Sequence, residues 1–398
     1  MFLKSLKLTN FLSFGESSPA LEFRPLTVVI GPNGSGKSNL IEALELLRAA
    51  PNDLRDFIRK GGGCREWAWK GSTSKPSKVT IEAVLENASD PFIGEPKQEL
   101  RYLLSFYGDE KTPEVFWITD ERLEKARVEP GQDTPDFYYR QKPLRGDPKG
   151  ELFVNSEVRD IPINFGASIF AQLRDSFQYP ELTYLGVTFP KIRVYRDWRL
   201  GRDTAPRLPQ RADLPPTILA PDGSNLWLVL NNLRNNPGTK KQLQEALHAV
   251  YEGADDFGVD IVGGSVMGYI NEGSYIVPAT RLSDGTLHYL CLLAILLQPD
   301  PPPLICIEEP EIGLHPDVMP TLARLFQEAA ERTQLIVTTH SDALIDALSD
   351  HVESVVVAEK GVEGTTLTQL DAEKLKPWLE QYRLGKLWTR GDIGGTRW

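Results

Sequence analysis

Leu26-Thr27-Val28-Val29-Ile30-Gly31-Pro32-Asn33-Gly34-Ser35-Gly36-Lys37-Ser38 decides the fold. Its first five residues form a short β-branched run of the kind that fills a buried strand. The next eight fit G-x-x-x-x-G-K-[ST] in full. Beyond them, Asn39 to Ala50 places Leu40, Ile41, Leu44 and Leu47 at helical spacing. A strand, a glycine-rich loop and a helix in that order make a phosphate cradle. Glycines let the backbone curl so that successive N–H groups point at phosphate oxygens, and the helix N-terminus adds partial positive charge. Lys37 is expected to reach the β and γ phosphates of a nucleotide and the Ser38 hydroxyl to ligate Mg²⁺. Asn33, Gly34, Ser35, Gly36 and Asn39 complete the expected contact set.

Working outward, Phe2 to Leu8 alternates apolar and polar residues as a half-buried strand does. Gly61 to Val158 holds short alternating runs such as Val79 to Val84 and Leu100 to Leu104, punctuated by Gly, Pro and Asp, and reads as an antiparallel sheet inserted after the first helix. A helix is expected around Ser168 to Arg174, a Pro- and Arg-rich loop from Gly201 to Pro216, and helix from Leu226 to Tyr251 with a break near Pro237-Gly238. The last third returns to a β/α rhythm: strands at Leu304 to Ile307 and Leu335 to Val337, helices at Val318 to Arg332 and Asp342 to Ser349. Such alternation predicts a mostly parallel sheet with helices on both faces. The expected division is 1–60, 61–253 as an inserted strand-rich and helical region, and 254–398.

Composition narrows the class. The chain has 398 residues, 41% hydrophobic and 25% charged, which is ordinary globular usage and excludes global disorder. The longest apolar run, Leu287 to Leu297, is well short of the roughly 20 residues a membrane helix needs. Met1 to Asn10 carries no secretory apolar core, so a cytoplasmic location is expected. Cys64, Cys291 and Cys306 have no metal-ligand spacing. The net charge of −11 means that any nucleic-acid contact must come from a local patch.

Three further stretches have the chemistry of a nucleotide site. Leu304-Ile305-Cys306-Ile307-Glu308-Glu309-Pro310-Glu311 is an apolar strand ending in carboxylates. Beside a phosphate loop, such carboxylates hold the Mg²⁺ shell and orient the attacking water. Glu308 is assigned to the metal and Glu309 to the water, while Glu311 reads as a helix N-terminal acid without a chemical role. Leu335-Ile336-Val337-Thr338-Thr339-His340-Ser341 puts His340 at the carboxyl end of a core strand, where α/β sheets place ligands. A neutral histidine there can hydrogen-bond a γ-phosphate or the lytic water. Ser283-Asp284-Gly285 opens the apolar helix from Leu287 and, although also an ordinary turn, fits a second anion site.

These residues, in this order, resemble the ABC-type ATPase heads of the SMC, RecF and OLD families and the stand-alone AAA-21/AAA-15 predicted ATPases. Leu6 to Phe14 is similar to their opening strand, and Leu282-Ser283-Asp284-Gly285-Thr286 to their signature loop. Glu308-Glu309-Pro310-Glu311 with Gly313-Leu314-His315-Pro316 is similar to Walker B and D-loop, and Thr339-His340-Ser341 to the switch histidine. Phe170-Ala171-Gln172-Leu173-Arg174 resembles the Q-loop region, which makes Gln172 a candidate Mg²⁺ ligand against the alternative of a polar residue on a surface helix. Leu384 to Trp388 and Gly394 to Trp398 resemble the family tail. The resemblance implies an α/β fold: a P-loop NTPase ABC-type head with a mostly parallel core sheet, an N-terminal antiparallel sheet and an inserted α/β middle region. It implies ATP and Mg²⁺ as cofactors. It also implies a homodimer in which Ser283 and Gly285 of one subunit cover the nucleotide of the other. No long coiled-coil arm is expected, and the stretch after His340 is too short for a Toprim nuclease.

Function then divides into two readings, since the divergent signature loop, the opening strand and the large middle insertion argue against a third, the energising subunit of a membrane transporter. One is an ATP-driven dimeric switch acting on a partner effector, with anti-phage defence as its context. The other is a RecF-like, ATP-dependent DNA-binding repair factor. The second would use the segment Lys191, Arg193, Arg196, Arg199, Arg202, Arg207 and Arg211, with Tyr195 and Trp198 between them. Basic and aromatic residues together grip phosphates and stack bases, but such a segment can equally pair with this acidic protein's own surface.

Overall fold

A computed structural model describes residues 1–71, 78–86, 99–108, 116–128, 135, 137–144, 147–154, 157–159, 164–251 and 253–395. Thr396, Arg397 and Trp398 of the expected tail lie outside them. The chain opens with β1 (Leu3–Thr9), β2 (Leu21–Glu22) and β3 (Leu26–Ile30). It then enters helix α1 (Lys37–Lys60), a short turn α2 (Cys64–Trp67), and six strands: β4 (Val79–Glu86), β5 (Glu99–Gly108), β6 (Phe116–Lys125), β7 (Phe137–Leu144), β8 (Asp147–Val154) and β9 (Glu157–Arg159). These join β2 and β1 in one eight-stranded antiparallel sheet, in the order β2-β1-β4-β5-β6-β7-β8-β9. The alternating burial of β4 is what its period-two sequence dictates.

Helices α3 (Ile169–Gln172) and α4 (Pro180–Thr188) lead to strand β10 (Arg193–Tyr195) and the short β11 (Gln210–Arg211). Helices α5 (Leu226–Asn235) and α6 (Pro237–His248) follow, broken at Pro237 as the sequence predicts. A small antiparallel sheet of β12 (Asp256–Val262), β13 (Ser265–Glu272) and β14 (Tyr275–Pro278) also takes in β11. The remainder is α7 (Asp284–Leu296), β15 (Leu304–Glu308), α8 (Met319–Ala330), β16 (Gln334–Thr339), α9 (Asp342–Ala347), β17 (Val355–Gly361), β18 (Gly364–Gln369), α10 (Ala372–Leu379) and α11 (Leu384–Thr389).

The core sheet has the order β10-β15-β16-β3-β17-β18. Its first five strands are parallel and β18 is antiparallel at the edge. Burial alternates across it. Val28 and Ile30 face one core with Ile305, Ile307, Leu335 and Val337, while Val29 faces the other with Leu304, Cys306 and Ile336. Helices α5 to α9 and α11 supply buried residues to the first core. The second face is covered by α1 and the antiparallel sheet rather than by helices alone, which corrects the expected arrangement.

Three other expectations change. Strand β10, inside the expected insertion 61–253, pairs in register with β15, so the core sheet resumes at Arg193. Gln210-Arg211, read as loop, pairs with β13. Helix α1 runs ten residues past Ala50, through Pro51, with Asp53 non-helical at φ −137°, ψ 75°. Proline removes a backbone donor and kinks a helix, and the Arg174 guanidinium donates to the Pro51 carbonyl at 2.7 Å to steady the break.

Candidate active site

The parallel strands β3, β15 and β16 end side by side, so the residues just beyond Ile30, Ile307 and Thr338 share one rim of the sheet. That rim is where open α/β sheets bind ligands. At Gly36, φ is +104°, and a Cβ there would crowd Thr365 Oγ1 and Ser13 Oγ, so only glycine lets the loop close into α1. Thr365 Oγ1 lies 2.9 Å from the Ser35 carbonyl and 2.7 Å from Ser13 Oγ. The Asn39 amide also donates to Ser13 Oγ, at 2.7 Å. The expected ligand Asn39 thus braces the loop from inside, while Asn33 and Gly34 lie exposed at its tip.

Lys37 is buried, and its ammonium donates to the Gly31 and Pro32 carbonyls at 2.8 and 3.0 Å. Burial pulls its pKa down to about 8, against the upward pull of Glu309, Glu308 and Glu311. The Ser38 hydroxyl donates to Glu308 Oε1 in a short hydrogen bond. The other Glu308 oxygen pairs with Arg196 Nε at 3.2 Å, and the same guanidinium holds Glu42 at 2.8 Å and Glu45 at 3.1 Å. The Trp198 indole N–H donates to the Glu308 carbonyl at 2.8 Å.

Glu309 adopts φ +48°, a left-handed conformation uncommon for a residue with a side chain. Its carboxylate faces His340 Nε2 at 3.2 Å. The structure therefore brings Lys37, Ser38, Glu308, Glu309 and His340 to one rim.

Glu311 differs from its sequence reading. It begins no helix; the turn runs on to a 3₁₀ segment at Pro316–Val318. Its Oε1 accepts from Thr339 Oγ1 at 2.7 Å and from the His340 backbone N–H at 2.6 Å. Desolvation raises its pKa. Glu311 thereby fixes the main chain at His340, a role that residue spacing alone could not reveal.

Gln172 corrects the metal assignment. Its side chain accepts from the Asn164 N–H at 2.8 Å and donates to the Asn164 and Ala167 carbonyls at 3.0 and 2.9 Å. It staples its own loop. Two residues on, Arg174 touches Pro51, thirteen residues along α1 from Ser38, a distance of about 20 Å at 1.5 Å per residue. The segment that does flank Glu308 is Arg196 to Trp198, beyond β10.

The signature-like loop opens α7. Ser283 caps α7, its hydroxyl accepting from the Thr286 N–H at 3.0 Å. Gly285 packs directly on the Gly313 carbonyl, where a Cβ would clash. Arg207 is buried, donates to the Leu282 carbonyl at 2.5 Å and pairs with Asp284. Among the described residues no hydrogen bond joins Ser283 or Gly285 to Gly31–Asn39.

The basic segment divides, with Arg193, Arg196 and Arg207 engaged within the fold and the other four cations exposed. Arg196 and Arg207 are paired as above, Arg211 pairs with Asp213 at 2.5 Å, and Arg193 donates to the Pro190 carbonyl at 2.9 Å. The Tyr195 hydroxyl donates to the Leu219 carbonyl at 2.9 Å, and the Trp198 ring lies 4.3 Å from that of His288. Lys191, Arg199, Arg202 and Arg211 of the seven cations are exposed, the last in a surface pair.

The residues fit a magnesium nucleotide. The loop leaves open space at Gly34 where a Cβ would meet nothing, and a buried ammonium, a hydroxyl and three carboxylates surround its end.

Known proteins share the fold. The solved Smc head bound to the C-winged helix domain of ScpA aligns over 95% of this chain and 100% of its own, with TM-score 0.57 and 14% identity. The Smc head with an extended coiled coil, bound to the C-terminal domain of ScpA derived from Pyrococcus furiosus, aligns over 96% and 99%, with TM-score 0.55 and 12% identity. At those identities the likeness is one of fold: a P-loop NTPase head. Local sequence matches include the chromosome partition protein Smc of Mycolicibacterium paratuberculosis, 58% identical over 93 residues (23% of this chain, 7% of that protein). The DNA replication and repair protein RecF of Thermosynechococcus vestitus is 42% identical over 65 residues (15% of this chain, 17% of RecF). The match thus spans only a small part of either relative. Residues 26–346 match the AAA_21 family, described as "AAA domain, putative AbiEii toxin, Type IV TA system", and the chain belongs to that family.

Proposed function

We propose that this chain is a Mg²⁺-dependent ATPase head that closes on ATP as a homodimer and passes the closure to an effector protein. The observation that carries the reading is the meeting of Lys37, Ser38, Glu308, Glu309 and His340 from three separate strand ends. When bound, ATP supplies a phosphoanhydride bond, and Mg²⁺ offsets the charge on its phosphates. Lys37 and the loop N–H groups hold the phosphates. Ser38 and Glu308 hold the metal, with Arg196 fixing the second Glu308 oxygen. Glu309 orients the water, and His340, placed by Glu311, faces the same point. Among the described residues Ser283 and Gly285 make no hydrogen bond to the phosphate loop of their own chain, which fits their acting on the nucleotide of a second copy.

The family description, with its toxin–antitoxin wording, supports a defence setting with a separate effector. No described helix is long and apolar enough to cross a membrane, in keeping with a cytoplasmic protein. The RecF-like reading has less support, because Arg193, Arg196, Arg207 and Tyr195 of its expected DNA-binding segment are engaged within the chain, which leaves Lys191, Arg199, Arg202 and Arg211 exposed.

The test is the solution mass of wild type and Glu309→Gln, with and without ATP and Mg²⁺. The expected result is a dimer that forms on ATP addition and persists in the variant. A Glu309→Gln protein that binds ATP and stays monomeric sinks the sandwich.

A further inference from the structure

His288 is out of place in its helix. Its neighbours Leu287, Tyr289, Leu290, Cys291, Leu292 and Leu293 are all buried, and His288 itself has no exposure. Burial pulls its pKa down to about 4, so the ring is neutral. Nδ1 lies 2.6 Å from the Ile312 carbonyl, so Nδ1 carries the proton and donates. Nε2 is left without a hydrogen-bond partner. An unpaired buried polar atom is destabilising. A leucine would avoid that cost and lose only the bond to Ile312.

Trp198 rests on that ring, its centroid 4.3 Å away, and donates to the Glu308 carbonyl. Two touching side chains therefore grip two backbone carbonyls, at 308 and 312. Those carbonyls bracket Glu309, whose left-handed backbone is a strained conformation that needs support from both sides. One turn before His288, Gly285 packs backbone to backbone on Gly313, at the far end of the same turn.

We propose that Trp198 and His288 are positioning residues that clamp the turn carrying Glu309 and tie its setting to the first turns of the signature helix. Because that helix presents Ser283 and Gly285, engagement of the signature loop reaches the carboxylate cluster of its own chain through this clamp. The consequence for catalysis rests on the ATPase reading above; the clamp itself does not.

The test compares His288→Phe, His288→Asn and Trp198→Phe in the full chain. Asn carries an amide N–H near the place of Nδ1, and Phe at 198 keeps a ring while removing the donor. Amide hydrogen exchange of the 309–314 turn in nucleotide-free protein should quicken about tenfold in both Phe variants and return to the wild-type rate in His288→Asn. With ATP, kcat should fall about tenfold in the Phe variants with KM little changed, and recover in His288→Asn. Unchanged exchange in Trp198→Phe, or a His288→Asn protein as loose as His288→Phe, overturns the proposal. Should wild type fail to hydrolyse ATP, the ATPase reading falls and the exchange result still decides the clamp. If His288→Phe does not fold, Trp198→Phe alone carries the test.

Discussion

The molecule holds carboxylates in two settings, one enclosed and one half-buried, and treats them differently. In the antiparallel sheet, Glu121 on β6 is fully enclosed and accepts from Tyr102 Oη at 2.7 Å, Gln141 Nε2 at 3.1 Å, Ser168 Oγ at 2.5 Å and the Ile169 N–H at 3.0 Å. Both oxygens are satisfied by neutral donors, and the carboxylate locks the start of α3 to the sheet. At the rim of the parallel sheet, Glu308, Glu309 and Glu311 face a lysine, an arginine and a histidine, and one Glu311 oxygen has no hydrogen-bond partner. A saturated buried carboxylate is a fastener. An under-saturated cluster around a cation is poised for a ligand.

The sharpest way to break that distinction is to neutralise one acid in each region. Glu309→Gln should lower ATP turnover about a thousandfold, the scale of losing a positioned base, while shifting stability by less than about 0.5 kcal/mol. Steady-state phosphate release and thermal melting of the same sample measure both. Normal turnover would remove Glu309 from the chemistry. Glu121→Ala should do the reverse. Four donors lose their acceptor at once, so unfolding free energy should drop by about 3 kcal/mol, while the folded fraction keeps its kcat. Denaturant titration checks the first part, and an intact stability would show that the sheet does not depend on this node.

The two regions should also differ in pH response. Burial raises the Glu121 pKa to about 7, above its ordinary 4.5. Its stabilising contribution is therefore complete below about 4.5 and is lost as pH rises through about 7, with a slope of up to about 1.4 kcal/mol per unit. Lys37 moves the other way. With its pKa lowered to about 8, it carries its charge in the free protein only below that value. ATP affinity should hold up to pH 8 and then fall by up to about tenfold per unit, whereas Lys37→Arg, charged throughout, should show no such break. Binding titrations across pH 7 to 9.5 measure this, and a wild-type curve as flat as that of the Arg variant would remove Lys37 titration from the account.

Legibility in the sequence follows the same division. Lys37 and Ser38 close the glycine loop that follows β3, Glu308 and Glu309 stand at the end of β15 and His340 just beyond β16, and strand ends in a parallel sheet converge, so local pattern reports their meeting. The antiparallel strands could be read from their alternation. What escaped depends on long-range contact: Arg196 lies over 100 residues from Glu308, Trp198 lies 90 from His288, and Glu311 acts on a backbone N–H 29 residues away. No periodicity encodes those distances. Gln172 shows the converse case, since a residue in a motif-like string can spend its side-chain hydrogen bonds on its own loop.

The mildest perturbation probes how far the antiparallel edge of the core sheet supports the phosphate loop. Thr365, on β18, is buried, and its hydroxyl meets the Ser35 carbonyl and Ser13 Oγ, which in turn receives Asn39. Thr365→Val keeps the shape and removes the hydroxyl. The loop stays closed through the Lys37 contacts and the Gly36 backbone, so the loss is one shared hydrogen bond, about 1 kcal/mol. If the brace is spent on holding the loop in its phosphate-ready curl, that energy appears as about a fivefold weaker ATP affinity with kcat unchanged. If it appears instead as lower stability with ATP affinity intact, β18 belongs with the fasteners of the Glu121 kind, and the boundary between the two regions lies between β17 and β18.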